Sequence, residues 1–118
     1  MTTLEIASQL VDMCRNGKIE EAKEELFAPD LISIEPREGL LQKETNCMDA
    51  IRKKAQLFVS MVDSFYGDTI SDPIVAGDYF SLTWTSDLKM KGGPRQTNTE
   101  LCVYKTSGGK IVSEQVFY

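Results

Sequence analysis

Midway along the chain the spacing of apolar residues changes period, and few folds accommodate that change. As far as Val62 apolar residues recur every three or four positions; from Thr69 they alternate in runs divided by glycine-rich breaks. Thr2 and Glu5 have the spacing of a capping box. Leu4, Ile6, Ala7, Leu10, Val11 and Cys14 then form a helical stripe that Asn16-Gly17 ends. A second, shorter helix is predicted over Lys18–Ala28, stopped by Pro29-Asp30, and then a short strand over Leu31–Glu35 closed by Pro36. A third helix begins near Asn46 and exits at Gly67-Asp68. It shows Met48, Ile51, Ala55, Phe58, Val59 and Val62 on one face. The basic run Arg52-Lys53-Lys54 is read as a solvated helix face.

The second half reads as strands over Ile70–Ala76, Asp78–Lys91, Arg95–Ser107 and Lys110–Tyr118. The breaks Gly77-Asp78, Gly92-Gly93-Pro94 and Ser107-Gly108-Gly109 are of hairpin type, so an antiparallel meander is expected. Helices followed by a meander predict an α+β fold with helices on one sheet face, and no linker or repeat divides residues 1–118. Folding the hairpins on paper places Trp84 near Cys102, Ser86 near Glu100, Leu82 near Tyr104, Cys102 near Glu114 and Glu100 near Val116. Strand periodicity of two then gathers Phe80, Leu82, Trp84, Leu88, Cys102, Tyr104, Val112 and Val116 on the helix-covered face. Glu100 and Glu114 fall on that apolar face too. Either Glu114 reaches solvent at the sheet margin or Arg95 or Lys110 pairs with one of the two, or they line a partly wet cavity with a carboxyl of raised pKa. The opposite face, with Thr83, Thr85, Thr97, Thr99, Leu101, Val103, Ser113, Gln115 and Phe117, suits a homodimer interface or an ordinary open sheet face.

Composition narrows the chemistry. The 118 residues contain no histidine, which removes Ser-His-Asp and Cys-His catalysis and histidine metal sites. A net charge of -5 argues against a nucleic-acid partner. Cys14, Cys47 and Cys102 are odd in number and widely spaced, neither a disulfide framework nor a zinc set. Cys47 falls near a helix start, where a thiol pKa can drop, but is read as structural. With no basic-then-apolar leader and no apolar run of the ~20 residues that span a bilayer, the expectation is a cytoplasmic protein that neither enters nor binds a membrane.

Three segments carry a resemblance. They are Asn16-Gly17-Lys18-Ile19-Glu20-Glu21-Ala22, Phe27-Ala28-Pro29-Asp30-Leu31-Ile32-Ser33-Ile34-Glu35-Pro36, and Gly109-Lys110-Ile111-Val112-Ser113-Glu114-Gln115-Val116-Phe117-Tyr118. Together they resemble the nuclear-transport-factor-2-like superfamily in its SnoaL-like branch, which includes relatives of polyketide cyclases and ketosteroid isomerase. The resemblance implies a cystatin-like conical barrel: a curved antiparallel sheet wrapped around three N-terminal helices, with a pocket and commonly a homodimer. It does not select an activity, because the fold serves isomerases, cyclases, dehydratases, hydrolases and binding modules. In ketosteroid isomerase the general base is a carboxylate before the proline of the first strand, and Glu35 before Pro36 matches it. The relative's oxyanion tyrosine falls on about Leu10 and its protonated aspartate near Asn98, so that mechanism is not carried over intact. Histidine-dependent dehydratase chemistry is excluded.

These implications define the candidate site. Trp84, Leu82, Phe80 and Tyr104 would wall a pocket for a small apolar or aromatic molecule, with Glu35, Glu100 and Tyr118 as polar handles. In a catalytic protein Glu35 or Glu100 would abstract a proton next to a carbonyl and Asn98 would stabilise the oxyanion. No metal or cofactor is expected. The rival expectation is a non-catalytic dimer that binds a protein partner with its sheet face or pocket rim.

Overall fold

The computed structural model describes residues 1–39 and 41–118. Helix α1 (Thr3–Arg15) starts at the expected capping box: Thr2 Oγ1 accepts from the Glu5 amide at 3.1 Å, and Glu5 Oε1 accepts from the Thr2 amide at 2.9 Å. Its buried stripe is Ile6, Ala7, Leu10 and Val11. Helix α2 (Ile19–Leu26) buries Ala22 and Leu26. Strands β1 (Phe27–Ile34) and β2 (Glu44–Asn46) lead into α3 (Met48–Met61), and β3 (Val62–Ile70) and β4 (Ile74–Ala76) follow. The long strands β5 (Tyr79–Met90), β6 (Arg95–Ser107) and β7 (Lys110–Phe117) complete an α+β architecture. The curved sheet runs β2-β1-β7-β6-β5-β3, with β4 on β5, and it stays open because its end strands do not pair.

Several boundaries correct the sequence expectation. The second helix stops at Leu26, and Phe27-Ala28-Pro29 already belongs to β1. Pro29 is tolerated there because β1 shifts register against β7 between Phe27 and Ile32, so no ladder amide is needed at that position. The third helix stops at Met61, not at Gly67-Asp68. The residues after it form β3, which pairs with β5 and shifts register between Phe65 and Gly67. Tertiary pairing overrides the helical spacing there, and Phe58 and Val59 of the expected apolar face remain exposed. Ile70–Ala76 divides between β3 and β4, and β2 was not foreseen. The expected antiparallel sheet is mixed, since β1 runs parallel to β7.

Hairpin registers differ from the expected ones by two residues, so the faces survive while the partners change. Trp84 pairs with Glu100, not Cys102, and Ser86 with Asn98; Leu82 pairs with Cys102 and Phe80 with Tyr104. In the next hairpin Cys102 pairs with Val116 and Tyr104 with Glu114. The turn Gly108-Gly109 has positive φ at both residues (59° and 79°), the requirement of a tight primed turn. Just beyond it β7 carries one extra residue between Ile111 and Ser113, opposite Thr106 and Lys105. The turn register sets Ile111 inward, and the bulge returns Glu114 and Val116 to that face while leaving Val112, expected there, only partly buried.

Phe80, Leu82, Leu88, Cys102, Tyr104 and Val116 are buried as that face requires. At its centre Phe80, 1% exposed, stacks on Tyr104 with ring centroids 4.7 Å apart. Phe80→Ala is expected to cost about 3–5 kcal/mol, a large share of the ~5–15 kcal/mol that holds a domain folded. Urea unfolding will show it as a lower midpoint at an unchanged slope.

Candidate functional site

The parallel pairing of β1 with β7 sets Ser33 beside Glu114. Glu35 follows one residue after β1 ends, and antiparallel pairing brings Tyr104 opposite Glu114. Glu100 lies four residues back along β6, an even step that keeps it on the same face as Tyr104. Three strands therefore deliver three carboxylates to one side of the sheet. Among them is a pocket of about 210 Å³ whose walls include Phe27, Leu31, Ile51, Trp84, Cys102, Tyr104 and Val116.

Lys54 makes this concentration of acid tenable. Its Nζ donates to Glu35 Oε1 at 3.1 Å and to Ser33 Oγ at 2.9 Å. The Ser33 hydroxyl, in a residue with 0% exposure, donates onward to Glu114 Oε1 at 2.8 Å. In the ion pair the Lys54 and Glu35 side chains are 13% and 9% exposed, so the contact is largely withdrawn from water. Removing one partner of such a pair would leave an uncompensated buried charge.

Glu100 is placed differently. Its contact is with the Cys102 thiol, which approaches Oε1 at 3.9 Å. Burial, then the charges of Glu35 and Glu114, push its carboxyl up to about 7, with Lys54 pulling the other way and Asp68 adding to the rise. Burial also raises Glu114, opposed by the Ser33 hydrogen bond and by Lys54 and Lys23. The Tyr104 phenol is held well above its ordinary value by burial, so it stays a hydrogen-bond donor. Burial likewise pushes the Cys102 thiol up to about 12, which makes it inert as a nucleophile.

Of the residues expected from sequence, Glu35, Glu100, Trp84 and Tyr104 meet around the pocket, while Phe80 and Leu82 lie in the core beside them. Tyr118 is exposed, its ring beneath Arg37 at 5.5 Å, with its hydroxyl raised by burial and then by the Glu35 charge. Asn98 is exposed on β6 and is not part of the pocket wall. Neither expected cation serves the glutamates: Arg95 binds Asp87 in a two-pronged pair, and Lys110 donates to the Glu25 carbonyl. The residue sequence reasoning missed is Lys54, assigned to a solvated face but turned inward. The signal was present, because Ile51, Lys54, Ala55 and Phe58 share helical spacing. No group of three potential ligands is arranged for a metal among the described residues, and no helix among them is long and apolar enough to cross a membrane.

The sequence model of the SnoaL-like domain family matches residues 1–118. A candidate SnoaL-like polyketide cyclase from Mesorhizobium loti is 31% identical, with a TM-score of 0.93 and 100% of each chain covered. An NTF2-like protein of unknown function from Burkholderia pseudomallei is 14% identical at a TM-score of 0.80, covering 100% of this chain and 92% of that one. TerC, co-crystallised with polyporic acid, is 15% identical at a TM-score of 0.78, covering 98% and 90%. No curated protein matches the chain.

The folded protein holds the Glu100 proton up to about pH 7, whereas the unfolded chain releases it near 4.5. The folded state thus binds more protons across that window, and this contribution to stability falls as pH rises through it. Glu100→Gln is therefore expected to raise the melting temperature by roughly 8–15 °C at pH 8. At pH 4, below both values, differential scanning calorimetry should find little difference.

Proposed function

The chain belongs to the SnoaL-like domain family, and from that premise we propose that it binds a compact small molecule in the pocket and moves a proton on it with Glu100. The observation that carries this reading is the contrast between two carboxylates in one pocket. Glu35 is tied to Lys54, while Glu100 is half-buried, meets the Cys102 thiol, and has a carboxyl at about 7. A group with that pKa is suited both to accept and to return a proton near neutral pH.

For a ligand with a carbonyl against Tyr104, Glu100 takes a hydrogen from the adjacent carbon. The C–H bond breaks, its electron pair passes into the enolate oxygen, and the Tyr104 phenol donates a hydrogen bond to that oxygen. The Glu100 acid then returns the proton to the same carbon or to another one, giving exchange or isomerisation. Glu35 occupies the position that the resemblance assigns to a base, but its ion pair with Lys54 suits it to positioning. Asn98, outside the pocket wall, takes no part. The crystallised complex of TerC with polyporic acid supports small-molecule binding on this fold.

The test is exchange of the α-hydrogens of cyclohexanone in D₂O, followed by ¹H NMR. Wild-type protein should accelerate exchange above buffer, and Glu100→Gln should lose about 10²–10⁴ of that acceleration. Equal exchange by wild type and variant, or none above buffer, would overturn the catalytic role.

A separate observation favours a homodimer. Leu101 and Phe117 are cross-strand partners on the sheet face away from the helices, and they are 42% and 44% exposed. We propose that two copies meet through this face. Light scattering at micromolar concentration should report twice the 13.2 kDa chain mass, and Leu101→Glu should return it to one; a wild-type monomer would overturn the interface.

A further inference from the structure

We infer that the pocket selects a small organic cation, a primary amine on a single-ring body, over neutral and anionic ligands of the same shape. This assignment of ligand class rests on the reading of the pocket as a small-molecule site. It starts from where Lys54 and Ser33 send their hydrogens. Lys54 donates to Ser33 and Glu35, and Ser33 has one hydroxyl hydrogen, which goes to Glu114. Two of the three Lys54 hydrogens and the single Ser33 hydrogen are thus committed to Glu35, Ser33 and Glu114, and none of these bonds goes to Glu100. Glu100 receives the thiol contact at 3.9 Å, a weak donor at long range. Beside the Tyr104 phenol, which can donate, Glu100 therefore offers acceptor oxygens that suit a ligand group bringing its own hydrogens.

Charge points the same way. Glu35 (after β1), Glu100 (β6) and Glu114 (β7) border the pocket with Lys54 (α3) and Lys23 (α2). Lys54 is neutralised by Glu35, and Lys23 by Glu20 at 3.2 Å on α2. Asp68 of β3 adds a further negative charge felt by Glu100, while Cys102 and Tyr104 on β6 stay neutral. An ionised Glu100 has no cation of its own in this set, and an incoming carboxylate or phosphate would meet like charges at short range. The carboxylates lack the arrangement of a metal set among the described residues, which favours an organic cation over a bare ion.

Size and wall set the rest of the ligand. The pocket offers about 210 Å³, many times the ~10–15 Å³ that a single water needs. That is room for one six-membered ring with a short arm. Trp84, Leu31 and Ile51 supply the apolar surface for the ring, and an indole also attracts cations to its face.

Benzylamine, benzyl alcohol and benzoate share one shape and differ in charge, so they isolate the inference. Isothermal titration at pH 8 and low salt, with Trp84 fluorescence as a local reporter, should find benzylamine bound at least about tenfold more tightly than the alcohol, with benzoate weakest. Benzylamine affinity should fall as pH drops below about 7, where a proton competes for Glu100. It should fall about tenfold in Glu100→Gln, whose folding the melting curve verifies. Glu114→Gln provides a second variant and should weaken benzylamine more than the alcohol. Benzyl alcohol or benzoate binding as tightly as the amine would overturn the charge selection and leave the pocket a ligand site. Silence from all three compounds would overturn the inference together with the small-molecule reading.

Discussion

The parallel contact between β1 and β7 is the constraint on which the rest of the molecule depends. An antiparallel meander needs only short turns, but a parallel pair joins segments far apart in sequence, here Ser33 and Glu114. The whole β2 to β6 excursion must return before that contact can form, which makes it the least local strand pairing in the sheet. Once formed, it orders β1 along the last strand and places Glu35 and Ser33 against the acids of β6 and β7. The helices cover that face, and α3 adds Lys54 to the polar residues the strands bring together.

That assembly shows how an apolar interior can hold three carboxylates. A single lysine, reaching in from α3, neutralises one of them directly and restrains a second through the Ser33 hydroxyl. The third receives no such help and shifts its titration instead, the less costly response for a partly buried acid. Chemical differentiation thus arises from placement: the same side chain serves as a fixed counter-ion at Glu35 and as a titrating group at Glu100. The cost in stability of keeping Glu100 ionisable is of the kind that functional pockets commonly carry.

How much of this was legible in the sequence depends on the distance over which each feature is decided. The capping box at Thr2 and Glu5, the α1 stripe and the in-facing set Phe80, Leu82, Leu88, Cys102, Tyr104 and Val116 were all readable, because period and turn chemistry are local. Glu100 and Glu114 were recognised as out of place on that face for the same reason. Their cation was not. Lys54 lies in a run with Arg52 and Lys53, and its inward turn follows from the placement of α3 over β1. The end of α3 at Met61 was equally hidden, since Val62 to Ile70 becomes a strand only by pairing with β5. Parity proved more robust than partnership: the β5–β6 ladder, and the β6–β7 ladder beyond its bulge, are shifted by two residues, which preserves faces while exchanging every cross-strand neighbour.

The bulge in β7 behaves like a frameshift in the geometry of the strand. Carried straight on from the Gly108-Gly109 turn, the ladder would set Glu114 opposite Val103, on the outer surface. The single extra residue moves the frame by one, and everything after it changes sides together. Substitution at Glu114 alters one group, whereas losing or gaining one residue between Ile111 and Ser113 would exchange the whole inner and outer lettering of the last strand. A one-residue change of length at that point thus rewrites the pocket wall and, through Val116, the core face of β7 at a single stroke.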